Sequence, residues 1–308
     1  MYPGNVAKAD SQEWHAFEQY FLKQERHKTQ ALESFKNIVL ENDQYSYTVL
    51  PEELFAFCTE LVKIEMRNTY LEFPHENWLL ESKIRHLEFA EIYDFQERFS
   101  KSLYAQEKGF LNITHLTIQR CNLKSIDSWI CGLTNLEKLG LPENNIQEIP
   151  VQITQLVNLK KLDLYKNRIS SIPEELCLHL TSLEVLALSF NAITDIPTCV
   201  FKLQNLSELC LAYNQLLELP VEISNITKLK ILLIGHNQLT SLPRKFGNLC
   251  NLKFLAATGN PIADVPPEIV ELGYPPQCCE LWFDSRPDLK RRSNDVRNFG
   301  HSYYSRRP

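Results

Sequence analysis

The chain of 308 residues carries a net charge of −6, and 44% of its residues are hydrophobic. That hydrophobic share suffices for a full core, and the acidic balance argues against nucleic acid as the main partner. No stretch approaches the roughly 18 uncharged apolar residues of a membrane span, and residues 1–10 lack an apolar run. We therefore expect neither a membrane span nor a signal peptide.

Residues 1–46 form an N-terminal segment with a helical pattern. Asp10 and Glu13 fit the D-x-x-E capping box that begins many helices. Large apolar side chains then recur at helical spacing, at Trp14, Phe17, Phe21, Leu32, Phe35 and Val39. The pattern predicts a helix or helical pair over about residues 11–41. Its preferred role is a cap on the first edge of a repeat array, and the alternative is an amphipathic helix that binds a partner.

Residues 50–110 carry a degenerate form of a repeated apolar phrase. Strand-like segments around Ile64 and Leu87 lie 23 residues apart, which is the step of the regular repeats that follow. Residues 93–110 hold an insertion in which aromatic and charged residues alternate. We expect this insertion to bulge from one face of the array.

From residue 113 to 266 the phrase L-x-x-L-x-L-x-x-N-x-L-x-x-L-P recurs at steps of 23 or 24 residues. Its first apolar residue falls at Ile113, Leu136, Leu159, Leu183, Leu206, Leu229 and Leu252. The fourth and sixth positions have the spacing of a strand, so each unit should add one short strand to a parallel sheet. A fixed step of this length predicts a stack in which neighbouring repeats bury one another's leucines.

Asparagine occupies the ninth position of six repeats, at Asn144, Asn167, Asn191, Asn214, Asn237 and Asn260. An amide can both donate and accept hydrogen bonds. We therefore expect this asparagine column to tie the turn after each strand to backbone groups of adjacent repeats. Its predicted role is structural.

After residue 266 the pattern loosens. Leu281, Trp282 and Phe283 are expected to fold over the exposed end of the last repeat. Residues 285–308 hold seven basic residues against two aspartates, so this tail carries +5 and is expected to be disordered. The sequence thus divides into an N-terminal helical segment (1–46), a repeat region of about nine repeats with its cap (47–284), and the tail.

The run of apolar residues from Leu219 to Asn237 resembles the 23-residue class of intracellular leucine-rich repeats. That class includes the Ras-pathway scaffold, Erbin- and Scribble-type proteins, and small cytosolic leucine-rich-repeat-containing proteins. The similarity covers about residues 50–272. It implies an α/β leucine-rich-repeat solenoid with a curved parallel sheet on its concave side. It also implies an adaptor that holds other proteins on that face without catalysis.

The nine cysteines are an odd number and lie scattered through the chain. Extracellular leucine-rich-repeat proteins usually bracket the array with clustered cysteines, and this sequence has no such clusters. We therefore expect buried, reduced thiols in a cytoplasmic protein. The glycosylation sequons at Asn112, Asn205 and Asn225 would then be unused.

The candidate partner-binding site lies on the concave face. Phe190, Tyr213 and His236 occupy the eighth position of successive repeats and should form a contiguous ladder, because neighbouring strands lie about 4.8 Å apart. Apolar residues beside the ladder and two cations complete the predicted site: Tyr165, Ile231, Phe254, Arg120 and Lys166. The cations would steer an acidic segment of the partner. Aromatic anchors with a charged rim are typical of a binding hot spot, although single exposed aromatics mean little on any surface.

Motifs for catalysis are absent from the sequence. It contains no glycine-rich phosphate loop, no H-E-x-x-H and no C-x-x-C, and we predict no enzyme, cofactor or metal site. The one conceivable nucleophile–base pair, Cys210 and His236, lies three strand positions apart, beyond hydrogen-bond reach. The preferred function is a cytoplasmic scaffold, monomeric outside its complex, for an unidentified protein. Alternatives are a regulatory subunit of a phosphatase or small-GTPase pathway and a structural component of a cytoskeletal or ciliary assembly.

Overall fold

The computed structural model describes residues 62–67, 84–92, 95–96, 112–272 and 279–284 in full, and four further strands by their backbone. Those strands are β1 (Val6–Lys8), β2 (Asn37–Glu41), β3 (Tyr47–Val49) and β5 (Tyr70–Glu72). The chain divides into two compact units, Met1–Arg168 and Ile169–Pro308. In the described part of the chain no helix is long and apolar enough to cross a membrane.

The first unit is built on a parallel sheet to which successive repeats each add one strand. The strands that follow β2 in this sheet are β4 (Lys63–Arg67), β6 (His86–Ala90), β7 (His115–Gln119), β8 (Lys138–Gly140) and β9 (Lys161–Asp163). The spatial order is β1-β2-β4-β6-β7-β8-β9, and β3 pairs with β5 in a separate small sheet. Every pairing is parallel and in register, as stacked repeats of similar length require.

The second unit repeats this arrangement. Its strands, adjacent in chain order, are β10 (Val185–Ala187), β11 (Glu208–Cys210), β12 (Ile231–Leu233), β13 (Phe254–Ala256) and β14 (Glu280–Trp282). All four pairings are parallel, and equivalent repeat positions lie opposite one another. The leucine-rich-repeat solenoid predicted from the repeats is therefore confirmed as the fold class.

Short helical turns follow the strands from β7 to β13. They are α1 (Ser128–Cys131), α2 (Glu174–His179), α3 (Pro267–Glu271) and the 3-10 turns Val151–Gln155, Thr198–Lys202, Val221–Asn225 and Arg244–Asn248. A proline precedes each of these turns except α1, where Asp127 takes its place. Proline suits the start of a helical turn because its φ is already fixed and a donor at that point would have no partner.

The core lies between the strands and these turns. In the repeat that begins at Leu159, the first, fourth and sixth positions (Leu159, Leu162 and Leu164) are fully buried. Each such side chain contributes roughly 1.5–3 kcal/mol by leaving water. The alternate positions, the third, fifth and seventh, lie on the opposite side of the sheet, called here the open face.

The asparagine column links backbone groups that the strands leave unpaired. The Oδ1 atom of Asn144 accepts hydrogen bonds from the backbone N–H groups of Cys121 (3.0 Å) and Leu123 (3.1 Å). Its Nδ2 atom donates to the carbonyl oxygens of Ile118 (2.7 Å) and Leu141 (3.1 Å). Nδ2 also donates to the carbonyl oxygen of Pro142 (3.1 Å), so one buried amide joins two repeats at five backbone positions, which is a structural role.

Strand β2 corrects the N-terminal prediction. A helix was expected as far as residue 41, but Asn37–Glu41 pair with β4, with Ile38 opposite Ile64 and Leu40 opposite Met66. Ile38 and Leu40 have strand spacing, and pairing with a formed neighbour outweighs the helical pattern of a short apolar run. The rest of the expected helix and the whole of the basic tail lie outside the described residues.

The insertion at residues 93–110 is described only at Phe95 and Gln96. Phe95 is buried and lies 5.1 Å from the ring of Phe89, measured between ring centroids. Gln96 donates from Nε2 to Asp127 (2.8 Å) and accepts from the backbone N–H of Lys124 (3.0 Å). At these two residues the insertion packs against its own repeat and the next one, and the expected bulge concerns residues outside the described part.

Candidate protein-binding face

The eighth position of each repeat has its backbone in the left-handed conformation. The φ values lie between 52° and 59° at Glu91, Arg120, Glu143, Lys166, Phe190, Tyr213 and His236, and φ is 74° at Gly259. This conformation costs a non-glycine residue roughly 1–2 kcal/mol. At six of these residues the backbone N–H donates to a carbonyl of the next repeat, for example from Tyr213 to Gly235 at 2.8 Å, and so holds the conformation.

In the second unit this position carries a stack of aromatic rings. The rings of Phe190 and Tyr213 have their centroids 4.0 Å apart and their planes inclined by 14°. Tyr213 and His236 repeat this geometry at 4.0 Å and 13°. Parallel in-register strands set the spacing, because each eighth position follows its strand by the same number of residues. The contiguity that the sequence predicts for these three residues, the aromatic stack, is present.

Gly259 ends the aromatic stack. A Cβ atom built on this glycine would fall 2.5 Å from Nδ1 of His236, too close for any side chain. The backbone N–H of Gly259 donates to the carboxylate of Asp284 at 2.8 Å and 3.0 Å. The ring of His236, the last in the stack, therefore packs against the backbone of a residue that has no side chain.

An apolar cluster lies beside the aromatic stack on the open face. Ala212, Leu233, Phe254 and Ala256 are buried in it, and Cys210, Tyr213, Ile231 and Trp282 pack against them. The ring of Trp282 meets Phe254 edge-on, with centroids 4.8 Å apart and planes at 69°. The cluster leaves Phe254 only 8% exposed.

One predicted site residue, Phe254, therefore differs in accessibility from the sequence prediction. Phe254 is buried within the cluster and offers little surface to a partner, because Trp282 covers it. Ile231 is half-buried and remains on the surface of the cluster. Trp282, which the sequence assigns only to the end cover, belongs to β14 and contributes to the open face. Its spacing of 26 residues from Ala256 departs from the repeat step and concealed this role.

In the first unit the eighth position carries alternating charges. Arg120 forms ion pairs with Glu91 (2.9 Å) and Glu143 (3.0 Å), and Lys166 pairs with the other oxygen of Glu143 (2.9 Å). Burial opposes ionisation of Glu143, but the hydrogen bonds from Arg120 and Lys166 outweigh it and hold its pKa below the usual value. The hydrogen bond to Glu143 raises the pKa of Arg120.

These ion pairs alter the role expected of the two predicted cations, Arg120 and Lys166, in partner binding. Arg120 and Lys166 already have carboxylate partners within the chain, so an acidic segment would compete with Glu143 for them. Tyr165, the remaining predicted residue, is half-buried beside them, and its backbone N–H donates to Asp163 at 3.1 Å. The structure thus brings three of the predicted residues together in the second unit as the aromatic stack and places the cations in a separate charged row.

Cys210 and His236, the conceivable nucleophile and base, belong to neighbouring repeats. Cys210 lies opposite Leu233 in the register of β11 and β12, and His236 follows Leu233 by three residues. In the described part of the chain, no group of three or more histidine, cysteine, aspartate or glutamate side chains could hold a metal ion.

Comparison with known proteins finds one matching family model and several similar solved structures. The leucine-rich-repeat family model matches residues 111–169 and 157–216. A leucine-rich-repeat protein of Leptospira interrogans is 26% identical, with a TM-score of 0.57, over 80% of this chain and 75% of that one. An internalin of Listeria monocytogenes is 19% identical, with a TM-score of 0.62, over 94% and 95%. No curated protein matches the sequence.

A third similar structure is the Arabidopsis receptor kinase HAESA, solved in complex with the peptide hormone IDA and the co-receptor SERK1. It is 23% identical with a TM-score of 0.55, and the match covers 71% of this chain and 38% of the receptor. Leucine-rich-repeat proteins generally mediate protein–protein interactions, and the fold is typically a non-catalytic interaction module. The comparisons thus agree with the repeat fold and with protein binding as the general class of function.

Proposed function

We propose that this protein is a non-catalytic scaffold or adaptor that binds a protein partner on the open face of its second unit. The observation that carries the proposal is the aromatic stack of Phe190, Tyr213 and His236. Stacked rings lose little conformational entropy on binding, because packing already restricts their rotamers. Aromatic residues of this kind supply most of the binding energy in many interfaces.

The aromatic side chains of the stack lie at a position whose backbone conformation is costly. Glycine or asparagine would adopt the left-handed conformation more easily than phenylalanine or tyrosine. Phe190 and Tyr213 nevertheless occupy it, with φ of 59° and 56°. The apolar cluster beside them, with Ile231 and Trp282 at its surface, extends the area that a partner could cover.

A cytoplasmic setting and a monomeric state outside the complex are part of this proposal. Buried free thiols support the cytoplasm, because the described cysteines form no disulfide and most of them are shielded from solvent. Burial raises the pKa of Cys131 to about 11 and that of Cys121 to about 12, which keeps both thiols protonated.

A paired capture experiment tests the proposal. The bait carries Phe190→Ala and Tyr213→Ala, and the matched control carries Leu178→Ala and Leu217→Ala, which remove apolar side chains that are 62% and 61% exposed outside the sheet. Proteins recovered by wild type and control but lost from the stack variant are then purified. We expect at least one to bind wild type directly in calorimetry and to lose affinity only for the stack variant.

Thermal unfolding of all three proteins keeps the comparison valid, since both variants must remain folded. If every purified partner binds the folded stack variant as tightly as it binds wild type, the open face of the second unit is not the binding site. The proposed function would then lose the observation that carries it.

A further inference from the structure

A row of basic side chains crosses the sheet of the first unit at the third repeat position. Lys63, His86, His115, Lys138 and Lys161 lie opposite one another in the register of five adjacent strands. Neighbouring strands are about 4.8 Å apart, so these side chains project from the open face as one continuous line. Neither the repeat fold nor the aromatic stack requires this arrangement.

The two ends of the row are neutralised within the chain. Lys63 pairs with Glu65 at 3.0 Å and with Glu88 at 2.8 Å. At the other end, Lys161 lies 3.6 Å from Asp163. The row therefore offers little net charge at either end.

The centre of the row is different. Lys138 is exposed and has no ion-pair partner among the described residues. Thr117 lies two residues after His115, and Gly140 lies two residues after Lys138. Neither residue carries a charge. The nearest carboxylate in sequence, Glu137, is paired with Lys160 at 2.9 Å. Unpaired positive charge is thus confined to the middle of the row.

Two histidines complete this centre. The rings of His86 and His115 lie 4.1 Å apart between centroids and are tilted by 45°. The hydroxyl of Thr114 lies 2.9 Å from Nδ1 of His115, which leaves Nε2 as the nitrogen that can meet a ligand. Burial lowers the pKa of His115 to about 4, with His86 and Lys138 as further causes, and burial with Lys63 and Lys138 lowers the pKa of His86.

We propose that His86, His115 and Lys138 form a binding site for a phosphate monoester carried on a protein side chain, with the Thr117 hydroxyl as an additional donor. A phosphate concentrates nearly two negative charges and three acceptor oxygens in one compact group, which matches a compact cluster of donors. A run of acidic residues would extend along the row and meet Glu88 and Asp163 at its ends. The site lies in the first unit and does not depend on the aromatic stack.

Calorimetric titration at pH 7.0 tests this site with three probes: a short peptide containing one phosphoserine, inorganic phosphate, and acetate. We expect saturable binding of both phosphate probes, with the peptide at least as tight as inorganic phosphate, and at least tenfold weaker binding of acetate. Lys138→Gln should weaken phosphopeptide binding by about tenfold, since it removes one charged hydrogen bond. NMR signals of His86 and His115 should shift during the titration.

The matched control is Lys124→Gln, which makes the same change of charge in the same unit at an exposed lysine outside the row. It should leave phosphopeptide affinity within about twofold of wild type. The proposal is overturned if the phosphopeptide does not bind, if acetate binds as tightly as phosphate, or if the two lysine variants weaken binding equally. Phosphopeptide binding weaker than that of free phosphate would rule out a protein side chain as the source.

Discussion

The imidazole ring of His236 lies directly against Gly259, so that a Cβ on the glycine would fall 2.5 Å from Nδ1 and 2.8 Å from Cγ of the histidine. His236 in turn stacks on Tyr213 at 4.0 Å. The glycine therefore serves two purposes: it adopts a φ of 74° without strain, and it leaves room for the last ring of the aromatic stack.

We expect Gly259→Ala to destabilise the protein by at least about 2 kcal/mol, because the new side chain combines left-handed strain with a clash against His236. Chemical denaturation measures the change. Gly132→Ala is the matched control, since Gly132 has a φ of −73° and its new Cβ would meet nothing closer than 3.4 Å. If both variants lost equal stability, the fit between His236 and Gly259 would have no energetic significance.

Removal of one amide from the asparagine column should be costly. Oδ1 of Asn237 accepts from the backbone N–H of Leu216 at 3.0 Å, and Nδ2 donates to the carbonyls of Leu211 (2.9 Å) and Ile234 (3.0 Å). Asn237→Ala leaves these buried groups unpaired, at about 1–3 kcal/mol each. Urea denaturation should show a loss of at least about 2 kcal/mol, whereas Gln238→Ala, at the exposed neighbouring position, should change stability by less than about 0.5 kcal/mol.

The repeat step explains how much of this structure the sequence could predict. Because equivalent positions of regular repeats lie opposite one another, the buried leucines and the contiguity of Phe190, Tyr213 and His236 follow from counting alone. The step is irregular at β2 and β14. There counting fails, and the strand at Asn37–Glu41 and the place of Trp282 on the open face were missed.

Other features were missed for a different reason. The left-handed backbone at the eighth position contradicts the intrinsic preferences of phenylalanine, tyrosine and lysine, and only Gly259 gives a hint of it. The ion pairs of Glu143 had a readable signal, because Arg120, Glu143 and Lys166 alternate in sign at the repeat step. Opposite charges on neighbouring repeats attract, so these two cations could have been assigned carboxylate partners from the sequence.

The lowered pKa of His115 predicts a loss of stability in acid. Its ordinary value is 6.5, and the folded protein lowers it to about 4, mainly by burial. Between these values the unfolded chain binds a proton that the folded protein does not, so the contribution of His115 is full above pH 6.5 and is lost as pH falls towards 4. Urea denaturation between pH 7.5 and 4.5 should give a shallower decline for His115→Gln than for wild type.

The control for this pH series is His179→Gln, because His179 is an exposed histidine at the end of α2. A decline as steep in His115→Gln as in wild type would show that other groups cause the acid sensitivity.

Thiol reactivity should follow burial. Cys250 is exposed, whereas Cys121, Cys131 and Cys279 are buried and have their pKa raised by burial to about 12, 11 and 12. Because the thiolate is the reactive form, iodoacetamide at pH 8 should label Cys250 at least tenfold faster than these three in the folded protein. Peptide mass spectrometry measures each site separately, and labelling in urea should remove the difference. Equal rates in the folded protein would contradict the burial of these thiols.

The ion pairs of Glu143 with Arg120 and Lys166 should affect binding of charged partners more than they affect the stability of the protein. The side chains of Arg120 and Lys166 are 51% and 56% exposed, and exposed ion pairs typically contribute less than about 1 kcal/mol. Glu143→Gln should therefore cost no more than about 1 kcal/mol in urea denaturation. Because the side chain of Glu143 is only 18% exposed, a loss above about 2 kcal/mol would instead identify it as a buried group whose removal leaves Lys166 unpaired and Arg120 with Glu91 alone. In the expected case the variant keeps its fold and leaves Lys166 without its carboxylate partner, while Arg120 keeps its ion pair with Glu91. Binding of any acidic partner at Lys166 should then strengthen and become more sensitive to salt.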